Sequence, residues 1–352
     1  MSRFLSSKYA TLEPYTPGEQ PQNMQYVKLN TNESPFPPSP KAMEYAKREA
    51  EKLRLYSDPE CKVLVNKLAE TFGVGTENII CVNGSDEILD FAFKCFCDDK
   101  TGVAFPNISY GFYPVYAQSN GINALEIPLR EDFTINPDDY IGLGRTIFIA
   151  NPNAPTGIAL SLDDIEKILI GNPDNIVVID EAYVDFGADS AVGLVKEYDN
   201  LLVTQTFSKS RSLAGGRLGF GIGSREIIKD LNTLRFSTNP YNINRMTMFA
   251  GVGALEDAEY TRKNCNTIIE NREYTVEKLE NLGFKVLPSK ANFLFAKSDK
   301  IGGEELYLKL KERGVLVRHF TKPSICEYNR ITIGTKEQMD ILLSEIARLL
   351  EV

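Results

Sequence analysis

Lys209 stands between two serines at the end of an apolar run, in Thr206-Phe207-Ser208-Lys209-Ser210, with Arg217 beyond the pair Gly215-Gly216. A lysine held out of water loses its proton more readily than a solvated one, and the neutral amine can form a Schiff base with an aldehyde. Ser208 and Arg217 could grip a phosphate, the arginine through its planar fork. On an open surface the same lysine would be only a solvated cation. Asp180, in Asp180-Glu181-Ala182-Tyr183, closes another apolar run. A carboxylate at the end of a buried strand is costly unless paired, and a cationic ring nitrogen would pair it; otherwise it caps a loop. Asn83-Gly84-Ser85-Asp86 reads as a glycine turn opening a helix, whose free N–H groups suit an anion, or as a plain N-cap by Ser85 or Asp86. Asn151-Pro152-Asn153-Ala154-Pro155-Thr156-Gly157 reads as a rigid turn. An Asn amide held there can donate to a ligand oxygen, although Asn, Pro and Gly are also ordinary turn residues.

Each segment alone has a plain alternative; together they match one cofactor. Pyridoxal 5'-phosphate needs an amine for its aldehyde, an acid for its ring nitrogen, donors for its ring oxygen and anion binders for its phosphate. All four needs are met within one stretch of the chain, each at the end of an expected strand.

The strands that must position them are short continuous apolar runs: Ile79–Val82, Val103–Phe105, Thr146–Ala150, Ile176–Ile179 and Leu201–Thr204. Continuous runs suit strands buried on both faces. Helical patterns at 41–54, 61–72, 86–97, 110–120, 162–170 and 190–198 supply the covers. The pattern predicts an α/β fold: a large domain over 41–260 with a mostly parallel sheet covered by helices. Ligands of such sheets bind at the carboxyl ends of the strands, where the four segments lie. After 260 come a long helical pattern to 281, strands near 292–296, 315–318 and 330–333, a helix near 302–313 and a C-terminal helix. They predict a smaller α+β domain over 261–352, with residues 1–40 as an extended Pro-rich arm joining it or a neighbouring subunit.

The net charge of −9, without a basic run, argues against nucleic acid or an anionic membrane as partner. No stretch suits a membrane span or a signal peptide, so a cytoplasmic protein is expected. The six cysteines form no C-x-x-C pair and read as reduced thiols, and no metal site is expected. His319, the single histidine, rules out multi-histidine ligation and weakens any Ser-His-Asp reading.

The chain resembles the fold-type I pyridoxal-phosphate aminotransferases over nearly its whole length. Ser208-Lys209 with Arg217 looks like their Schiff-base motif, and the 151–157 turn is similar to their N-P-N-N-P-T-G, with Ala154 in place of an Asn. The resemblance implies that Lys209 is the Schiff-base and proton-shuttle lysine and that Asp180 keeps the ring nitrogen protonated. It implies that Tyr183 and Asn153 bond the ring oxygen, that Tyr110 stacks on the ring, and that Ser208, Arg217, Ser85 and Asp86 surround the phosphate. Tyr56 would reach the cofactor phosphate of a neighbouring subunit, which implies a homodimer with shared sites.

Leu29-Asn30-Thr31-Asn32-Glu33, Glu13-Pro14-Tyr15 and the segments around Arg318 and Arg330 resemble the histidinol-phosphate branch of that family. The resemblance implies transamination of a phosphorylated amine, L-histidinol phosphate, with a 2-oxo acid, 2-oxoglutarate. Arg330 would bind the substrate phosphate or carboxylate, with Arg318, Tyr15 and Asn32 assisting. Within the same fold, a threonine-phosphate decarboxylase or an aromatic aminotransferase shares the cofactor residues, and the two arginine segments favour the histidinol-phosphate reading. A nicotinamide dehydrogenase is disfavoured, because Gly219-Phe220-Gly221-Ile222-Gly223 lacks G-x-G-x-x-G spacing. A non-enzymatic ligand sensor would need an added DNA-binding module, for which the first 40 residues are too short and Pro-rich.

Overall fold

The computed structural model describes residues 2–10, 12–13, 15–21 and 24–351. Pro14, quoted above in the Glu13-Pro14-Tyr15 segment, lies outside them. After the arm strand β1 (Val27–Lys28) come helices α1 (Pro40–Ala50) and α2 (Lys62–Phe72). The start of α1 is set by Ser39-Pro40: the Ser39 side chain accepts from the Ala42 amide at 3.2 Å, and Pro40 takes a first-turn position where no N–H is needed.

The chain then alternates through β2 (Ile79–Val82), α3 (Ser85–Phe96), β3 (Val103–Pro106), α4 (Tyr113–Asn120), β4 (Ala124–Ile127), β5 (Thr146–Ala150), α5 (Leu162–Ile170), β6 (Val177–Asp180), β7 (Leu201–Thr206) and β8 (Gly219–Gly223). These strands form one sheet in the order β2-β8-β7-β6-β5-β3-β4, in which only β8 runs antiparallel to its neighbours. The continuous apolar runs are explained by burial on both faces. Ile147, Ile149, Val177 and Ile179 pack on one side with Leu64 and Leu68 of α2 and Ile165 and Ile168 of α5. Phe148, Val178 and Leu202 pack on the other with Phe91 of α3 and Tyr113 and Tyr116 of α4.

Several elements depart from the sequence expectation. β4 is an edge strand with three exposed residues, so it carries no apolar run to announce it. β8 is a strand in which every second residue is glycine, and its missing side chains are what let α3 lie against it. A Cβ at Gly219 would stand 2.5 Å from the Ser85 amide nitrogen, and one at Gly221 would stand 2.1 Å from Ile88 Cδ1. The helix expected near 190–198 is a short 3-10 turn, Ala191–Lys196. Two helices, α6 (Arg225–Thr238) and α7 (Arg245–Glu256), form where the sequence pattern predicts no element. Gly251 and Gly253 weaken the helical propensity of α7, yet a Cβ at Gly253 would lie 2.5 Å from the Lys41 carbonyl oxygen. The glycine lets α7 close on α1.

The long helix α8 (Ala258–Asn281) leads to β9 (Phe284–Val286), β10 (Phe293–Ser298), α9 (Gly303–Glu312), β11 (Val315–Leu316), β12 (Arg318–His319), β13 (Asn329–Thr332) and α10 (Lys336–Leu349). A four-stranded antiparallel sheet has the order β12-β13-β10-β9, and β1 pairs in parallel with β11. The arm is thereby stitched to this part: the Leu29 amide donates to the Leu316 carbonyl at 2.8 Å, and the Thr332 amide to the Leu29 carbonyl at 2.9 Å. Among the described residues no helix is long and apolar enough to cross a membrane.

Candidate active site

β5, β6 and β7 end at Ala150, Asp180 and Thr206, and all three residues line one cavity of about 320 Å³. Parallel register sets Ala150 beside Asp180 and Asp180 beside Thr204, so the strand ends arrive level. Lys209, Ser208, Arg217, Ser85, Asp86, Tyr110 and Tyr183 line the same cavity, as do Thr31 and Glu33 from the arm. The large sheet supplies the floor, and the N-terminal segment brings in residues from the far side.

Asp180 is buried, and its partners are neutral: Thr204 Oγ1 donates at 3.2 Å and the Tyr113 hydroxyl at 3.3 Å. Burial pushes its carboxyl up to about 6 against those two hydroxyls, with the charge of Asp86 adding to the rise. Glu181, the next residue, does not line the cavity. It accepts from Ser190 Oγ, the Ala191 amide and Gln205 Nε2 at 2.6–2.8 Å, which ties down the loop after β6. Lys209 Nζ donates to the Thr31 carbonyl at 3.2 Å. Burial draws its ammonium down to about 8, and Arg330 acts in the same direction. Among the described residues, no cation lies within ion-pair distance of Asp180 and no carboxylate within that distance of Lys209.

The anion cradle forms where α3 begins. Gly84 has φ +75°, and a Cβ there would meet Arg217 Nη2 at 2.4 Å, so glycine is required for the guanidinium to lie over the helix start. The first N–H groups of an α-helix lack carbonyl partners one turn back, which suits the start of α3 to an anion. Arg217 Nη2 pairs with Asp86 Oδ2 at 3.2 Å, and the Tyr110 hydroxyl donates to Asp86 Oδ1 at 2.6 Å. Ser208 Oγ lies 2.9 Å from Thr206 Oγ1, which also lies 3.3 Å from the Leu218 carbonyl. Because Gly219 touches the backbone of Gly84 and Ser85, Gly219→Ala is expected to push the cradle out of place. It should cost about 1–3 kcal/mol of stability, read as a lower melting temperature, and weaken phosphate binding, read by isothermal titration.

Asn153 departs from expectation. Its Nδ2 donates to the Ile108 carbonyl at 3.0 Å and to Thr156 Oγ1 at 3.1 Å, and its Oδ1 accepts from Ser109 at 2.8 Å. With all three bonds committed to holding the turn, it gives none to the cavity. The residue of this turn that lines the cavity is Ala154. Tyr183 is packed edge-on to Phe293, and its hydroxyl accepts from Asn32 Nδ2 at 3.0 Å. Asn32 is thus engaged with Tyr183.

Arg330 donates from Nη2 to the Asn30 carbonyl at 2.9 Å and lies over the rings of Phe293 and Phe320, while its Nε is buried without a partner. Arg318 is taken up by the arm, donating to the carbonyls of Thr16 and Pro17 at 3.0 and 3.2 Å. The same arm is anchored by Glu19, which accepts from Tyr307 and Lys311 of α9. Tyr15 stacks on Phe112 at 4.2 Å. The arm therefore spans from the small sheet to the loop that carries Tyr110. Tyr56 lies outside this cavity, 80% exposed and stacked on Tyr241. His319 sits at a strand end against the Cys326 carbonyl, away from the cavity. Thr31 and Glu33 line the cavity and lie in the Leu29–Glu33 segment, although neither stood out there as a candidate by itself; Tyr113 and Thr204, which hold Asp180, carry no mark in the sequence spacing.

The family model for aminotransferase class I and II matches residues 24–346. The chain belongs to this family. Among its class I and II relatives, a histidinol-phosphate aminotransferase of Brachyspira hyodysenteriae is 52% identical, over 98% of both chains. One of the same name from a Marinomonas species is 50% identical, over 99% of this chain and all of the other. Among solved structures, the histidinol-phosphate aminotransferase of Sinorhizobium meliloti in complex with pyridoxal-5'-phosphate superposes with a TM-score of 0.86 at 21% identity, covering 93% of this chain and 92% of that one. The class I and II aminotransferase fold is thus shared well beyond the range of close sequence identity.

Proposed function

We propose that the chain catalyses pyridoxal-phosphate-dependent transamination of L-histidinol phosphate with 2-oxoglutarate, giving imidazole acetol phosphate and glutamate, a step of histidine biosynthesis. The observation that carries the cofactor is the meeting, in one cavity, of a buried carboxylate without a cation and a lysine without a carboxylate, and the substrate rests on the full-length similarity to histidinol-phosphate aminotransferases. Both lacks are met by one group with a cationic ring nitrogen and an aldehyde, and the cradle at Gly84 and Arg217 fits its phosphate. The residues present therefore fit pyridoxal phosphate.

When bound, the cofactor supplies an aldehyde that takes up an amine and a ring that accepts the electron pair left on the amine's carbon. Lys209, whose ammonium burial draws down to about 8 in the ligand-free protein, would be the group that moves the proton from the substrate's amine-bearing carbon. Asp180 would hold the ring nitrogen's proton, Tyr183 would donate to the ring oxygen, and Tyr110 would form a wall of the ring site. Ser85, Asp86, Ser208 and Arg217 would hold the phosphate, with Asp86 orienting Arg217 and Tyr110. Arg330 would take the anionic end of either substrate, phosphate or carboxylate, through its guanidinium. Arg318 and Tyr15 act by holding the arm.

Arg330→Gln is expected to raise the KM for both the phosphorylated amine and the 2-oxo acid by about 10–100-fold, since a charge-assisted bond is worth about 1.5–3 kcal/mol. Steady-state kinetics with each substrate varied would measure it. Tyr56, exposed and outside its own cavity, serves the site of a second copy, so the active species is a homodimer. A sedimentation profile showing a monomer at assay concentration would contradict this.

The substrate is tested by glutamate release from 2-oxoglutarate with a panel of amines. L-Histidinol phosphate is expected to exceed phenylalanine and tyrosine in kcat/KM. Preference for an aromatic amino acid, or carbon dioxide release from threonine phosphate, would overturn the assignment.

A further inference from the structure

Tyr183 has one hydroxyl hydrogen to give, and the structure shows how that hydrogen is kept for the cavity. A tyrosine hydroxyl donates once and accepts through its lone pairs. Asn32 Nδ2 donates into it at 3.0 Å, so the bond between the two side chains uses a lone pair and leaves the hydrogen uncommitted. The direction of that bond depends on which end of the Asn32 amide faces Tyr183. Thr332 Oγ1 accepts from the Asn32 backbone amide at 2.9 Å and gives its one hydrogen to Asn32 Oδ1 at 3.0 Å. The oxygen end of the amide is turned to Thr332 and the nitrogen end to Tyr183.

More holds Asn32 than a turn requires. It is buried, its φ is +56°, a region Asn enters more readily than most residues, and its carbonyl accepts from Asn292 Nδ2 at 3.0 Å. Thr332 and Asn292 belong to or adjoin β13 and β10, so the small sheet sets the aim of an amide that acts on a hydroxyl just beyond the end of β6, the central strand of the large one. The other walls leave the work to Tyr183. Asn153 is committed to its own turn, Ala154 presents a methyl group, and the Tyr110 hydroxyl is given to Asp86.

We propose that Asn32 is a positioning residue for the reaction: its amide orients the Tyr183 hydroxyl so that Tyr183 is the side-chain donor to the cofactor's ring oxygen, with no amide from the 151–157 turn to share the role. This rests on the pyridoxal-phosphate reading above. It replaces the expectation that Asn32 meets the substrate.

The test is the visible spectrum of the cofactor-loaded protein as a function of pH. The lysine-bound cofactor changes colour when its linkage nitrogen loses a proton, and that loss leaves a full negative charge on the ring oxygen. A donor to that oxygen favours the deprotonated form, so losing the donor raises the pH of the colour change. Tyr183→Phe is expected to raise it by about 1–2, as for a hydrogen bond to a charged group. Asn32→Gly, which accepts the positive φ, is expected to raise it in the same direction by about half as much. In the Tyr183→Phe background Asn32→Gly is expected to add nothing, because the two act as one unit.

An unmoved colour change in Asn32→Gly, or an equal shift with and without Tyr183, overturns the proposal. Should Asn32→Gly not fold, Asn32→Asp keeps the turn and draws the Tyr183 hydrogen to itself. Its upward shift must shrink in the Tyr183→Phe background, and a shift of equal size there is charge alone and overturns the proposal. A wild-type protein that takes up no chromophore overturns the cofactor reading and this inference with it, whereas a normal wild-type band with unresponsive variants overturns this inference only.

Discussion

Lys209→Ala is expected to lower the transamination rate by about 10³–10⁴-fold, the scale of a lost general base, while the cavity still takes up pyridoxal phosphate. The cofactor would then show the spectrum of a free aldehyde. Lys209→Arg should be as inactive, because a guanidinium stays charged and neither attacks an aldehyde nor takes a proton. If the residue mattered only as a cation for the phosphate, Arg would rescue, and single-turnover rates on the two variants separate these cases. The same lysine leaves a mark on stability. Its ammonium is drawn down from 10.5 to about 8 by burial first and by Arg330 second, so in the ligand-free protein it opposes folding. That opposition is complete below pH 8 and fades as pH rises from 8 towards 10.5, where the unfolded chain also loses the proton. Ligand-free Lys209→Ala should melt above wild type at pH 7, and the difference should shrink through that window.

Asp180→Asn is expected to lower kcat on the order of 10²–10³-fold, since the group that keeps the ring nitrogen charged is gone while shape and hydrogen bonding are kept. Its effect on stability has the opposite sign. Burial raises the Asp180 carboxyl from 3.8 to about 6 in the ligand-free protein. A folded state that holds a proton the unfolded chain has released loses stability as pH rises from about 4 to 6, and stays lower above that. Asn removes the penalty, so ligand-free Asp180→Asn should be more stable than wild type by about 2–3 kcal/mol at pH 7. Bound cofactor reverses the ranking by giving Asp180 its cation. The rise in melting temperature on adding pyridoxal phosphate should therefore be larger for wild type than for the variant, and scanning calorimetry on the four samples reads it.

Both residues were legible because the sheet forces them to be. A buried parallel strand shows itself as an unbroken apolar run, and the residue that ends it is delivered to the ligand end of the sheet. Asp180 and Lys209 follow such runs, and Gly84 with Arg217 marks a helix start that needs no side chain. What escaped depends on contacts distant in sequence. β8 looks like a loop until α3 is placed against it, because its glycines matter for what they let approach. α7 is masked in the same way by Gly253, which meets α1. Asn153 and Ala154 are neighbours, and type alone favours the asparagine as the ligand residue. Only the acceptors offered by Ile108 and Thr156 show which way the turn faces. Asn32 and Arg318 carried the right chemistry for a substrate, but Tyr183 and the arm carbonyls reach them first.

The most direct measurement is the visible spectrum of the pyridoxal-phosphate-loaded protein during addition of L-histidinol phosphate and then of 2-oxoglutarate, with glutamate assayed at the end. The expected result is loss of the cofactor's long-wavelength band on the first addition, and its return with release of glutamate on the second. A band that ignores histidinol phosphate contradicts the substrate while leaving Lys209 in place, and a protein that takes up no cofactor contradicts the site itself.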